Sequence, residues 1–230
     1  MQPRVITGES SLAEEVADIL RTRIITGEYE MGEKLVENKI ARELKVSRTP
    51  VRDAFKQLTR ERLIEYIPNK GCFAKGFSQK DMDDIYAVRK AVEELAVTWA
   101  IENSTEEGID ALKEQLDLMS FYTEHCFVDK LLQANEAFHN MIYQMTGSRF
   151  IVQVLKAYQD YVHLARKRTL SREENLPEIY AEHVRIYGAI RDGDAERAKA
   201  EVGHHLEGSA RRARERWLEK TAGKNRTGNK

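Results

Sequence analysis

Between Val46 and Arg62 the chain encodes one helix with two unlike faces. Ser47 is a natural N-cap, and Pro50 falls in the first turn, where a missing N–H does little harm. Advancing about 100° per residue from Arg48, Val51, Ala54, Phe55 and Leu58 gather on one arc. Arg48, Thr49, Arg52, Lys56, Thr59 and Arg60 gather on the other. One arc needs a core to pack on, and the other presents cations and hydroxyls. A DNA major groove suits such a surface, because Arg and Lys meet phosphates and guanine edges while Thr meets phosphates or a thymine methyl. A solvated helix face has the same composition, so spacing alone leaves both readings open.

The flanking sequence frames this helix. Leu12, Val16, Ile19, Leu20 and Ile24 repeat at helical spacing and stop at Gly27. Residues 37–45 predict a short second helix with Ile40, Ala41 and Leu44 inward. After the amphipathic helix, Ile64–Ile67 and Cys72–Ala74 alternate like strands around the turn Pro68-Asn69-Lys70-Gly71. Three helices and a β-hairpin make a winged helix-turn-helix over residues 1–76, with Lys70 and Gly71 at the wing tip. Lys70 there is either a phosphate or minor-groove contact or an exposed turn residue.

From Ser78 onward only helical periods are found, at 79–102, 106–126, 129–146, 148–169, 174–192 and 194–219. Gly147, Pro177 and Gly193 punctuate them. This predicts an all-α bundle of six to seven helices over 77–220, so the fold class is mainly α. Residues 221–230 carry no core residues and read as a disordered tail. No run of 18 apolar residues exists, so no membrane span is expected. Met1 to Ser10 is mostly polar and lacks a signal-peptide core. Cys72 and Cys126 stand in unrelated contexts, which argues for a reducing cytoplasm rather than a disulfide framework. Cys126 reads as a core residue.

Charge is unevenly distributed. The chain carries 37 Lys and Arg against 38 Asp and Glu. Residues 38–62 alone hold eight basic against three acidic side chains, while 77–230 hold 23 against 26. A basic helix pair on a near-neutral chain suits a sequence-specific DNA reader better than a coating protein.

The helical half has its own polar constellation. Asn135 and His139 are i,i+4 and share a stripe with Leu132 and Ile142, so both point inward. His183 lies in the stripe Ile179, Ile186, Ile190, and His205 in the stripe Ala198, Val202, Ser209. With Gly193 as the centre of a helix–helix turn, His183 is ten residues before it and His205 twelve after. At 1.5 Å rise, two antiparallel helices bring both to nearly one height. His204 points about 100° away, and His125, His163 and His204 read as structural or exposed. Three inward imidazoles in an apolar bundle need satisfaction, by polar neighbours or by a divalent transition metal such as zinc, nickel or manganese. Arg89 falls in the stripe Met82, Ile85, Tyr86, Val92, Ala96. A charge there needs a partner, either Glu93 or a small carboxylate effector.

These residues together resemble the GntR-type transcriptional regulators, in the FadR-like subgroup with an all-helical FCD effector domain. The likeness runs through Ile25-Thr26-Gly27, Gly32-Glu33-Lys34-Leu35, Val46 to Arg52 and Gly71. It continues through Ile85 to Arg89, Phe138-His139, Glu182-His183, Ala189-Ile190, Gly193-Asp194 and His205-Leu206. The resemblance implies a cytoplasmic, ligand-responsive repressor that binds a palindromic double-stranded DNA operator as a homodimer. Arg48, Thr49, Arg52, Lys56, Lys70 and Gly71 would face DNA. Asn135, His139, His183 and His205 would hold a metal, and Arg89 an organic acid. Four departures stand out. Glu37-Asn38-Lys39 stands early in the second helix, where some relatives use an arginine to touch DNA, so that contact is not carried over. Arg62 replaces the Gly that usually ends the recognition helix, Met31 a usual Pro, and Asn135 the Asp that usually completes the metal set. An amide oxygen is a weaker, neutral ligand, so metal affinity should fall.

A metal-dependent hydrolase or oxygenase is the rival from another class, since three His around a metal also serve such enzymes. It lacks an evident general base and leaves the basic helix unexplained. A purely architectural DNA binder is the other rival, separable by salt dependence and sequence competition.

Overall fold

The computed structural model describes residues 11–76, 78–169 and 173–227, with the side chains of 159, 160, 162–169 and 216–227 outside the description. His163 therefore lies outside the described side chains. The chain divides into two compact units between Ser78 and Gln79.

The first unit contains α1 (Leu12–Ile25), β1 (Lys34–Leu35), α2 (Glu37–Glu43), α3 (Arg48–Arg60), β2 (Ile64–Ile67) and β3 (Gly71–Ala74). A capping box starts α1: the Ser11 hydroxyl accepts from Glu14 N, and the Glu14 carboxylate accepts from Ser11 N. Gly27, at φ 68°, ends it. The apolar arcs meet as expected. Val16, Leu20 and Ile24 of α1 are buried with Ile40 of α2 and Val51, Ala54, Phe55 and Leu58 of α3. Arg21, buried in α1, donates to both carboxylate oxygens of Glu61, each at 2.8 Å, and so ties α1 to the end of α3.

Two local details differ from the sequence reading. Ser47 has the extended N-cap backbone but makes no side-chain cap bond. Pro50 stands at the third helical position and has no N–H to give, which removes one of the two donors a cap uses. The hairpin also gains a third strand, in the order β1-β3-β2, with Leu35 opposite Cys72 and Tyr66 opposite Cys72 on the other side. A two-residue strand carries too little alternation to be read from sequence.

The second unit is a bundle of α4 (Gln79–Glu102), α5 (Glu106–Glu124), α6 (Val128–Met145), α7 (Arg149–Thr169), α8 (Leu176–Arg191) and α9 (Ala195–Thr227), with a 3₁₀ turn at Glu173–Asn175. Most of its core is one contiguous cluster, with Leu132 and Ile179 forming a smaller one. Ala96 and Ala100 of α4, Leu112 and Met119 of α5, and Phe138 of α6 join Leu155, Ile186 and Leu206 from α7, α8 and α9. Gly193, at φ 68°, makes the α8–α9 turn. Cys126, expected in the core, is instead exposed at the α5–α6 turn with φ 54°. The chain reverses there, so the side chain has no neighbouring layer to enter. Residues 221–227 continue α9 where a tail was expected, each added residue gaining a backbone bond without a new nucleus. Residues 228–230 lie outside the described residues. Among the described residues no helix is long and apolar enough to cross a membrane.

Candidate metal and effector site, and a candidate DNA-binding helix

Helix α6 carries Asn135 and His139 one turn apart, α8 carries His183, and α9 carries His205; all four are at most 2% exposed. The Gly193 turn sets α8 and α9 antiparallel, and the rings of His183 and His205 come to 4.6 Å between centroids. Both lie about 5 Å from His139 (5.2 and 5.0 Å). One nitrogen from each ring falls within 4.8 Å of the others.

The partners of the outer ring nitrogens decide what the inner ones can do. His183 Nδ1 donates to the carbonyl oxygen of Ile179 at 2.7 Å. His205 Nδ1 donates to Glu182 Oε2 at 2.8 Å. His139 Nδ1 faces Glu93 Oε2 at 3.4 Å. His183 Nε2 lies 3.3 Å from His139 Nε2; in the tautomer with Nδ1 as the N–H, each Nε2 offers the lone pair a metal ligand requires. Asn135 Nδ2 lies 3.1 Å from His183 Nε2, while Asn135 Oδ1 is buried with no hydrogen-bond partner among the described residues. A half-turn of this amide exchanges the two atoms and brings the oxygen to the imidazoles. Three nitrogen donors, one idle buried oxygen and tautomers fixed from outside fit a divalent transition metal.

Two arginines hold the outer carboxylates. Arg89 donates Nε to Glu93 Oε1 at 2.7 Å, and Arg212 donates to both oxygens of Glu182 at 2.9 Å. Arg89 is 4% exposed, and its Nη1 has no hydrogen-bond partner among the described residues. Burial works against the Arg89 charge, but Glu93, with Tyr143 and Tyr86, outweighs it and holds the guanidinium above its usual range. Glu182 and Arg212 were not assigned a role from sequence. The signal was present: Glu182 is i+3 from Ile179 and i−4 from Ile186, a charge inside an apolar stripe. Because both carboxylates beside the rings are engaged by arginine, neither is placed as a general base for hydrolysis. His125 and His204 are exposed, as expected.

In the first unit, Arg48, Thr49, Arg52 and Lys56 lie exposed on α3, and Lys70 is exposed in the turn before β3. Gly71 opens β3 at φ 104°. Glu37 Oε2 lies 3.4 Å from Nη2 of both Arg48 and Arg52, and Lys56 pairs with Asp53 at 2.8 Å. Between α2 and the start of α3 runs a cleft lined by Asn38, Arg42, Lys45, Ser47 and Arg48. Arg42 and Lys45 were not singled out from sequence, although both belong to the basic run. Lys45 and Arg62 are exposed and take left-handed backbone, φ 56° and 60°.

A winged helix-turn-helix joined to a helical unit with a buried cluster of polar side chains defines a class, that of DNA-binding transcriptional regulators. Comparison with known proteins gives the family. Residues 12–74 match the bacterial regulatory proteins of the gntR family, and residues 84–208 match the FCD domain. The chain belongs to the GntR family and carries an FCD domain. It is 27% identical over 188 residues to the HTH-type transcriptional regulator YdhC of Bacillus subtilis, covering 81% of this chain and 84% of that one. It is 26% identical over 223 residues to the gluconate operon transcriptional repressor of Bacillus licheniformis, covering 95% and 91%. Among solved structures, Escherichia coli McbR/YncC superposes with a TM-score of 0.70 at 19% identity, over 90% of this chain and 99% of that one. These relatives are regulators of transcription, not enzymes, and the protein is a transcriptional regulator of this family.

Proposed function

We propose that the protein is a repressor that binds a palindromic operator as a homodimer and is released by a small carboxylate. The carboxylate would be sensed in the helical unit, at a metal held by His139, His183, His205 and Asn135. The observation that carries this reading is the set of three imidazoles with Nδ1 engaged from outside and Nε2 turned to a common centre, beside Arg89. Charge accounting supports an anionic effector. Arg89 and Glu93 balance, as do Arg212 and Glu182, and Asn135 adds no charge. A divalent cation would therefore sit in a buried site with its charge uncompensated, which is costly without an anion. The idle N–H of Arg89 offers such an anion a charge-assisted bond. The metal, when bound, supplies the positive centre for a carboxylate; the protein's residues orient it and exclude water.

Arg48, Thr49 and Arg52 would meet base edges or nearby phosphates, Lys56 a phosphate, and the wing at Lys70 and Gly71 the backbone. The repressor names of relatives support repression. A dimer suits a two-fold operator, and α4 offers an apolar stripe for it: Val88 and Leu95, two turns apart, are exposed with Ala91 between them. The acid acts only through unequal affinity for the DNA-bound and DNA-free states, a coupling of typically about 1–3 kcal/mol.

Elemental analysis of the purified wild type beside His139→Ala tests the site. Near-stoichiometric metal in the wild type, lost in the variant, is expected. Equal metal in both, or none in either after incubation with zinc, nickel or manganese, would remove the metal from this reading.

A further inference from the structure

Glu37 opens α2 and reaches across to the face of α3 that carries Arg48 and Arg52. Its Oε2 lies 3.4 Å from the Nη2 of each arginine, so one carboxylate stands between two guanidinium groups. Both arginine side chains are more than half exposed, 58% and 55%, and Glu37 is 28% exposed. Exposed pairs of this kind add little stability. On a helix that only gripped phosphates, a carboxylate here would weaken every complex alike by repelling the DNA backbone. Its position makes sense if it meets base edges. In the major groove a carboxylate accepts from the N4 amino group of cytosine, and it is repelled by guanine O6 and N7 and by thymine O4. An arginine beside it takes guanine O6 and N7 through its fork.

We infer that Glu37 is a specificity-determining residue that accepts from a cytosine amino group next to the guanine read by Arg48 or Arg52. It raises discrimination by penalising other bases at that position, at the expense of overall affinity for DNA. This rests on the DNA-reading role proposed for the two arginines. The inference also accounts for the local charge pattern. Glu37 lies immediately before the basic window 38–62, where a carboxylate aimed at the arginines lowers the non-specific attraction that eight cations would otherwise provide.

The test is selection of duplexes from a randomised library by full-length wild type, Glu37→Gln and Glu37→Ala. Affinities are then measured for the wild-type-selected site and for a scrambled duplex. Circular dichroism confirms that each variant is folded. The wild type is expected to select one position per half-site for cytosine. Glu37→Gln should shift that position toward adenine, whose N6 and N7 an amide reads bidentately. Glu37→Ala should accept all four bases there and bind the scrambled duplex more tightly, with discrimination lower by about tenfold or more. Unchanged selection by both variants, or an equal change in affinity for selected and scrambled duplexes, would overturn the role of Glu37 while leaving the arginines as readers. Failure of the wild type to enrich any sequence would overturn the arginine reading itself, and the proposal with it.

Discussion

Lys45 turns the chain from α2 into α3 at φ 56°, a conformation that costs a residue with a Cβ about 1–2 kcal/mol and glycine nothing. Its exposed ammonium lines the cleft at the start of α3 with Arg42, Ser47 and Arg48. We propose that the strain is kept for the cation, as a contact to a DNA phosphate. Lys45→Gly should stabilise the protein by roughly 0.5–1 kcal/mol in urea unfolding, after glycine's extra unfolded-state entropy is subtracted. The same variant should bind DNA more weakly and flatten the salt dependence by about 0.9 in log–log slope, the loss of one phosphate contact. Single residues also show what sequence can carry. His139, His183 and His205 were legible because each sits in an apolar stripe where an imidazole is out of place. Glu182 satisfied the same criterion, but a carboxylate's partner on another helix has no fixed offset in sequence. Arg212 lies 30 residues away across a turn.

At the level of elements, helix limits followed from periodicity and from Gly27, Gly147 and Gly193. The strand β1 did not, because its pairing with β3 spans almost forty residues of sequence and involves only two residue pairs. The α8–α9 hairpin shows how tightly the site depends on backbone approach. Gly208 of α9 is buried, and a Cβ there would stand 2.8 Å from Glu182 Oε1 and 3.1 Å from Arg212 Nη1. Gly208→Ala should therefore push Glu182 away from His205 without touching any proposed ligand. Overpacking of this kind costs about 1–3 kcal/mol, and losing the carboxylate behind a metal-bound histidine weakens the metal by about 10–100-fold. Thermal unfolding with and without zinc separates the two effects: the apo transition falls modestly, and the zinc-dependent rise is lost. An unchanged zinc-dependent rise would mean that Glu182 does not orient His205.

Over the whole molecule, the division of labour was legible because the two halves obey different periods: a hairpin and a basic helix before Gly76, helical stripes alone after Ser78. What the histidine cluster would hold was less legible, since it depends on which nitrogen of each ring faces inward and on whether Arg89 keeps an idle donor. Both are properties of packed helices rather than of any one segment. The two thiols fall one to each unit: Cys72 on β3, half-buried, and Cys126 exposed at the α5–α6 turn. Burial, with Glu37 nearby, pushes the Cys72 thiol up, so less of it is thiolate at neutral pH. A maleimide dye should couple first to Cys126, and a second dye to Cys72 once the first is consumed; mass spectrometry of tryptic peptides checks the order. The chain thus comes supplied with one optical handle in the unit proposed to sense the acid and another in the winged helix-turn-helix unit. Energy transfer between them can test whether a carboxylate changes the separation of the two units in an otherwise unaltered protein.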